Sequence, residues 1–405
     1  MTLTTDRPVA FRPGVGTVPP SRLRGALARR LFLHAVRRLP LTVELPGGRR
    51  LGGGGPVMRL RRPEAFYRRV GAGGLIGFGE AYMARDWEAD DLPAVLTVMA
   101  ERLATLIPPG LQRLRRLAVR RVPRDELGGR EDTRRNIHRH YDLSNDLFAE
   151  FLDETLTYSA ALFDGPASWE TLADAQRAKI DRLLDQAGVG PGTRLLEIGT
   201  GWGELALRAA RRGAVVVSIT LSQEQRELAR ARVADAGLSD RVEILLADYR
   251  EVSGGYDAIV SVEMIEAVGA RYWPVYFAAL ERLLAPGGRI AIQAITMPHE
   301  RMLATLDTHT WVRKYIFPGG MLPSVIAIED NLGGLRITGR LSLRADYAET
   351  LRLWRERYLE RVDAVGALGF DDTFHRMWTL YLAYSEAGFR SRYLDVWQFT
   401  LGRRS

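Results

Sequence analysis

The stretch Leu195-Leu196-Glu197-Ile198-Gly199-Thr200-Gly201-Trp202-Gly203-Glu204 constrains the fold of this chain more than any other. An apolar run ending in three closely spaced glycines describes a buried strand that turns sharply onto a helix, because glycine accepts positive φ and lets the backbone pass close to a ligand. A helix opening near Glu204 presents unpaired N–H groups to whatever lies in the turn. Nucleoside cofactors sit at such turns in open α/β sheets. The dinucleotide fingerprint is a different pattern: there an acidic residue follows the glycines by about 20 residues, whereas Glu197 precedes them. Taken alone, the stretch also fits a purely structural strand-to-helix turn.

From Leu195 onward strand and helix patterns alternate. The periodicity predicts strands over Leu195–Ile198, Val215–Thr220, Val242–Ala247, Ala258–Val262 and Arg289–Ile295, with helices over Glu204–Arg212, Gln223–Ala236 and Tyr272–Leu284. Continuous apolar strands alternating with helices imply a parallel sheet covered on both faces. The 405 residues are enough for two domains. Residues 1–20 read as a loose arm, 21–120 as a first domain, 121–135 as a charged linker and 136–405 as a second domain. Within the first domain, Leu23, Ala26, Leu27, Leu31 and Ala35 alternate with Arg24, Arg30, Arg37 and Arg38 as an amphipathic basic helix. Short strands over Leu41–Leu45 and Val57–Leu60 and a helix over Leu92–Leu106 follow.

The chain has no Cys, which excludes disulfides, thiolate nucleophiles and Cys-ligated metal sites. It has neither a run of 18 apolar residues nor a basic-then-apolar leader. A cytoplasmic location is the expectation. Charge is uneven: residues 1–130 carry 24 Arg against 11 Asp and Glu, while the remainder carries 33 basic against 38 acidic residues. An Arg-rich N-terminal third is a surface for an anionic bilayer or a nucleic acid. Only Lys179 and Lys314 are lysines.

Several polar residues fall at predicted strand ends. Thr220, Leu221 and Ser222 end the second strand, and the two hydroxyls either bond a ligand or cap the next helix. Asp248-Tyr249 follows the third strand, where a carboxylate reads an adenine amine or simply forms a turn. Glu263 and Glu266, three apart, share a face if helical, which raises one pKa toward proton transfer; a solvated helix start has the same pattern. His138 and His140 lack further donors, so no metal is expected. There is no G-x-S-x-G elbow, no phosphate-binding loop, and no D/N-P-P-Y motif or RNA module, so nucleic acid is not expected as a partner.

Taken in order, His140-Tyr141-Asp142-Leu143-Ser144-Asn145-Asp146, Thr157-Tyr158-Ser159, the glycine turn, Glu263-Met264-Ile265-Glu266-Ala267-Val268-Gly269 and Lys314-Tyr315-Ile316-Phe317-Pro318-Gly319-Gly320 resemble the cyclopropane-fatty-acyl-phospholipid synthase family. Gly77-Phe78-Gly79-Glu80-Ala81-Tyr82-Met83 resembles the family's extra lipid-handling domain, and Phe389-Arg390 to Trp397-Gln398 its C-terminal segment. The resemblance implies a class I S-adenosylmethionine (SAM) methyltransferase fold, Rossmann-like with a seven-stranded, mostly parallel sheet, beside a smaller N-terminal α+β domain. It implies that SAM is held by Tyr158, Ser159, Glu197, Gly199, Thr200, Gly201, Gly203, Thr220, Leu221, Ser222, Gln225, Asp248, Tyr249 and Glu263.

The implied chemistry is methylation of a cis double bond in a phospholipid acyl chain through a carbocation. Glu266 and Tyr347 match the family's catalytic Glu and Tyr, and Gln293 and Ile295 complete the expected catalytic set. Two departures stand out. Ala160 replaces a Cys and Gln293 replaces a His, at positions that hold a bicarbonate base in the commonest members. Gln still donates a hydrogen bond and Ala has no side-chain donor, so bicarbonate is left open as a cofactor. Gln293 in Ile292-Gln293-Ala294-Ile295-Thr296-Met297-Pro298 is similar to the actinobacterial branch making 10-methyl, tuberculostearate-type fatty acids. There a hydride shift and proton loss give a 10-methylene chain, which a separate flavin-dependent reductase saturates. Expected partners are therefore an acyl chain at an anionic membrane, that reductase and a second copy of the chain as a dimer, with the enzyme peripheral on the inner membrane face. A cyclopropane product and a small-molecule SAM methyltransferase of the coclaurine type remain the alternatives.

Overall fold

A computed structural model of the chain describes residues 15–102 and 144–404. The expected 121–135 linker, His138, His140 to Leu143 and most of the N-terminal arm lie outside them. The chain divides into two compact units: the N-terminal segment groups with Thr308–Ile316 and Trp354–Tyr393, and the remainder forms the second unit. A single cut between 120 and 136 therefore misses two late segments. Their grouping follows from tertiary packing of the helix Asp372–Arg390 against the helices Leu75–Met83 and Leu92–Glu101, which no local pattern announces.

The smaller unit is built on four short strands, β1 (Thr42–Glu44), β2 (Arg50–Gly52), β3 (Val57–Leu60) and β4 (Trp87–Ala89), in the order β2-β1-β3-β4. Phe66, Tyr67, Tyr82 and Trp87 are buried beside the sheet, with ring centroids of Phe66–Tyr67 at 5.4 Å and Tyr82–Trp87 at 5.0 Å. Buried Asp86 is held by the Arg69 guanidinium at 2.9 Å, so its charge is compensated. Gly79 has a steric purpose: a methyl built there would overlap the Trp311 indole. The basic helix is Arg22–Val36, and it buries Gly25, Ala28 and Val36 rather than the predicted leucine stripe. Small residues let the helix Pro63–Gly73 approach closely, since a Cβ on Gly71 would meet the Arg24 carbonyl. Leu23 and Leu27 are left 87% and 57% exposed among the arginines.

The larger unit holds a seven-stranded sheet of β5 (Arg194–Ile198), β6 (Val215–Thr220), β7 (Val242–Leu246), β8 (Tyr256–Val262), β9 (Leu284–Thr296), β10 (Leu335–Ser342) and β11 (Asp395–Arg403), ordered β10-β11-β9-β8-β5-β6-β7. β5, β6, β7, β8 and β9 run parallel, and β11 pairs antiparallel with both β9 and β10. Leu196, Ile198, Ile259, Ile290, Ile292 and Phe399 belong to one buried layer, and Leu195, Val216, Ala258, Val260 and Ala291 to the other. Alternate residues of the same strands thus feed opposite faces, as a doubly covered sheet requires. Chain order reverses at β5, between β6 and β8. Ligands bind outside the carboxyl ends of strands at such a switch point.

Candidate active site

The glycine turn leaves β5 at that point. Gly199, Gly201 and Gly203 have φ of 99°, 53° and 92°, all in the region that side chains disfavour. The turn is pinned from beneath: Gly199 N and Thr200 N both donate to the Ile219 carbonyl of β6, at 2.9 and 3.1 Å. Gly203 caps the helix Glu204–Arg211, whose first N–H groups open onto the turn. Around Gly201 there is open space, with no atom within 4 Å of an added Cβ. A cleft adjoins the turn, lined by Gly199, Thr220, Leu221, Asp248, Tyr249 and Met264 among others.

Not every expected cofactor residue faces this cleft in the same way. Glu197 is buried and accepts a hydrogen bond from Ser218, whose hydroxyl also meets Thr200 at 2.7 Å, so its observed contact braces the turn. Burial pushes the Glu197 carboxyl up to about 8. The Ser222 hydroxyl is engaged as the cap of the helix Gln223–Asp235, accepting from Gln225 N at 3.2 Å, and the Gln225 side chain accepts from Thr220 Oγ1 at 2.9 Å. Capping is thus the reading the geometry favours for Ser222. Asp248 lines the cleft while Arg250 N donates to it at 2.9 Å and the Arg250 guanidinium at 2.7 Å. Tyr249 packs edge-on to Tyr276 with centroids 5.4 Å apart, and burial lifts its phenol to about 12. Tyr158 packs on Phe148 at 5.1 Å. Ser159 accepts from Lys179 Nζ at 2.6 Å.

Beyond Met264 lies a second constellation, at the ends of β8 and β9. Glu263 has a positive φ of 50°, rare for a residue with a side chain, and its N–H donates to the Gln293 carbonyl at 2.8 Å. Its Oε1 accepts from Ala160 N at 3.0 Å and Gln293 Nε2 at 2.8 Å, and its Oε2 accepts from the Tyr347 hydroxyl at 2.9 Å. Glu263, expected to hold the cofactor, thus binds two of the four expected catalytic residues, Gln293 and Tyr347. Glu266 Oε1 accepts from Ile295 N at 2.5 Å, while its buried Oε2 has no hydrogen-bond partner among the described residues. Burial raises both carboxyls, and their mutual repulsion helps lift Glu266 to about 8. Three donors converge on Glu263, so it is the member of the pair that ionises first.

Sequence reasoning missed the support for this group. Lys179 is 1% exposed, and burial lowers its ammonium to about 8. Its signal was compositional: it is one of only two lysines in an Arg-rich chain. Gln398 Nε2 donates to Gln293 Oε1 at 3.0 Å and Arg182 donates to Gln398 Oε1 at 2.6 Å, fixing the amide so that Gln293 presents its N–H₂ to Glu263. Asp346 and Thr350, on the helix Arg344–Glu360 that carries Tyr347, accept from Phe163 N at 3.0 Å and Ala161 N at 3.2 Å, anchoring the segment that contains Ala160. No cluster of His, Asp and Glu suited to a metal occurs among the described residues.

The glycine cradle, the adjoining helix N-terminus and the acidic cleft wall fit SAM. The donors expected for bicarbonate do not leave it a place, since the Glu263 carboxylate takes them.

Known proteins resemble this chain in sequence and in fold. The model of the mycolic acid cyclopropane synthetase family matches residues 129–399. The tuberculostearic acid methyltransferase UfaA1 of Mycobacterium tuberculosis is 57% identical across 96% of this chain and 95% of its own length. The cyclopropane-fatty-acyl-phospholipid synthase of Escherichia coli K12 is 34% identical across 87% of this chain and 90% of its own. In three dimensions, the mycolic acid cyclopropane synthase CmaA1 complexed with SAH and CTAB superposes with a TM-score of 0.61 at 33% identity, covering 68% of this chain and 99% of that one. With its glycine turn, sheet order and paired acids, this chain belongs to the cyclopropane synthetase family and is a SAM-dependent methyltransferase.

Proposed function

We propose that the enzyme methylates a cis-unsaturated, oleoyl-type acyl chain of a phospholipid and releases a 10-methylene chain, which a flavin-dependent reductase then saturates to the 10-methyl fatty acid. The observation that carries this reading is the polar group around Glu263, beside the cofactor cleft, taken with the near-full-length similarity to a tuberculostearic acid methyltransferase. Bound SAM supplies an electrophilic methyl group. Gly199, Gly201 and the walls at Asp248 and Tyr249 hold and orient it, so that alignment with a weakly nucleophilic alkene does most of the work. The Glu263 carboxylate provides the negative charge that a developing carbocation needs, and the Glu266 and Tyr347 oxygens add partial negative charge, in a site from which water is largely withdrawn.

The enzyme docks on the inner face of an anionic membrane through Arg22–Val36, whose outward leucines lie among arginines. No helix among the described residues is long and apolar enough to cross a bilayer. A homodimer is the proposed assembly. Cyclopropane formation is the second reading, favoured by the family to which the chain belongs. Expression in a host with oleoyl lipids, followed by NMR of the purified fatty esters, separates the two. The expected product is an exomethylene ester, converted to 10-methyl when the reductase is supplied; a cyclopropane ring as sole product overturns the first reading.

A further inference from the structure

Glu263 is placed as a bound oxyanion would be. Its carboxylate accepts from a backbone N–H, an amide N–H₂ and a phenol, at 3.0, 2.8 and 2.9 Å. Three donors aimed at one planar O–C–O group are what a small carboxylate-like anion requires, and a covalently attached carboxylate leaves no donor for a free one. The backbone adopts a positive φ to put it there. Such a conformation persists in a side-chain residue only where its surroundings over-determine it, and it concentrates at functional sites. Buried Lys179 supplies opposite charge that acts on the Glu263 carboxylate. Gln293 and Tyr347, expected from the resemblance to act directly, are here positioning residues for Glu263.

We propose that the Glu263 carboxylate is the built-in base of the reaction, standing in the place of bicarbonate, so that the enzyme turns over without bicarbonate. The proposal rests on the lipid-methylating reading above. The alkene π pair forms the new C–CH₃ bond while the former S–CH₃ pair stays on sulfur, leaving a cation on the neighbouring chain carbon. A hydride shift moves the cation to the methylated carbon. Glu263 then takes a proton from the new methyl, and the released C–H pair becomes the exomethylene π bond. Glu263 is left as the neutral acid and returns its proton to solvent. Ring closure instead of the shift loses the same proton to the same base, so the proposal does not depend on which product forms.

The test uses the full-length enzyme, vesicles of oleoyl phosphatidylglycerol, radiolabelled SAM and buffer freed of carbon dioxide. Wild-type turnover is expected to be the same with and without added bicarbonate. Glu263→Gly keeps the positive φ and opens the donor pocket. Its turnover should fall by about 100-fold or more, the contribution of a positioned base, and should recover as bicarbonate is added. Carbon-13 NMR should show labelled bicarbonate binding to Glu263→Gly and not to the wild type. Wild-type activity that is lost when bicarbonate is removed, or Glu263→Gly turnover equal to wild type in the absence of bicarbonate, overturns the proposal. If Glu263→Gly fails to fold, shown by lost SAM binding in calorimetry, the wild-type bicarbonate dependence decides. If the wild type methylates no lipid, the functional reading fails, and the bicarbonate-binding comparison still decides this one.

Discussion

Gly201→Ala separates the cost of a strained turn from the loss of a ligand. Gly201 has a φ of 53°, and a side-chain residue in the left-handed region costs about 1–2 kcal/mol. Around an added Cβ the protein has no atom within 4 Å, so the folded chain meets no clash. Backbone strain alone should then lower Tm by about 2–8 °C for a domain of this size. The cofactor suffers separately, because the methyl group projects into the open space at the turn. If it displaces the ligand from two backbone donors, each hydrogen bond being worth about 1–1.5 kcal/mol, SAM binding weakens by about 2–3 kcal/mol. That corresponds to a Kd about 30- to 150-fold higher. Calorimetric titration of SAM gives the Kd and scanning fluorimetry the Tm, on the same preparations. A Tm drop of this size with an unchanged Kd would refute the placement of SAM on this turn. Gly199→Ala is the contrasting control, since its Cβ would lie 2.6 Å from Met264 Cγ and so perturbs protein packing as well.

Two further outcomes are expected. Glu266 ordinarily titrates near 4.5 and here near 8, so between those values the folded state keeps a proton that the unfolded state has lost. Its contribution makes stability fall as pH rises from about 4.5 to about 8. Glu266→Gln, which mimics the protonated form, should therefore gain stability relative to wild type at pH 8 compared with pH 5 in denaturant titrations; an equal difference at both pH values refutes the shift. Replacing both Leu23 and Leu27 by Glu should weaken sedimentation with anionic vesicles by about tenfold, equivalent to about 1.4 kcal/mol, and leave Tm nearly unchanged because both side chains face outward. Equal binding of wild type and variant would exclude this helix as the membrane contact.

Much of the architecture is local in origin and could be read residue by residue. The apolar strands β5 through β8 and the helices between them end within two residues of where periodicity put them. β9 begins at Leu284, earlier than the predicted Arg289, because Leu284 already pairs with Tyr256 of β8; Pro286-Gly287-Gly288, which reads as a turn, falls at the register irregularity before Arg289 pairs with Ala258. β10, β11 and the helices Trp169–Ala187 and Asp372–Arg390 were not resolved as elements from sequence. An edge strand and an antiparallel insertion are defined by partners far along the chain, such as Thr296 opposite Asp395.

The site divides along the same line. Sequence alone determined the glycine turn, the strand-end positions of Thr220, Asp248 and Glu263, and the motif order that marks the family, because these depend on φ preference and on the period of a strand. It also indicated that an outward face of the N-terminal helix carries arginine. Tertiary structure decided which hydroxyl caps and which faces a ligand, and that Ser222 caps. It decided that Asp248 is held by its neighbour Arg250, that Lys179 is buried beside Ser159, and that a Gln398–Gln293 relay orients one amide. Above all, it folded the Glu263 carboxylate back onto Ala160, Gln293 and Tyr347, residues 103, 30 and 84 positions away. A pKa and a role come from desolvation and from donors brought in across the fold, and neither quantity is a property of the residues adjacent in sequence.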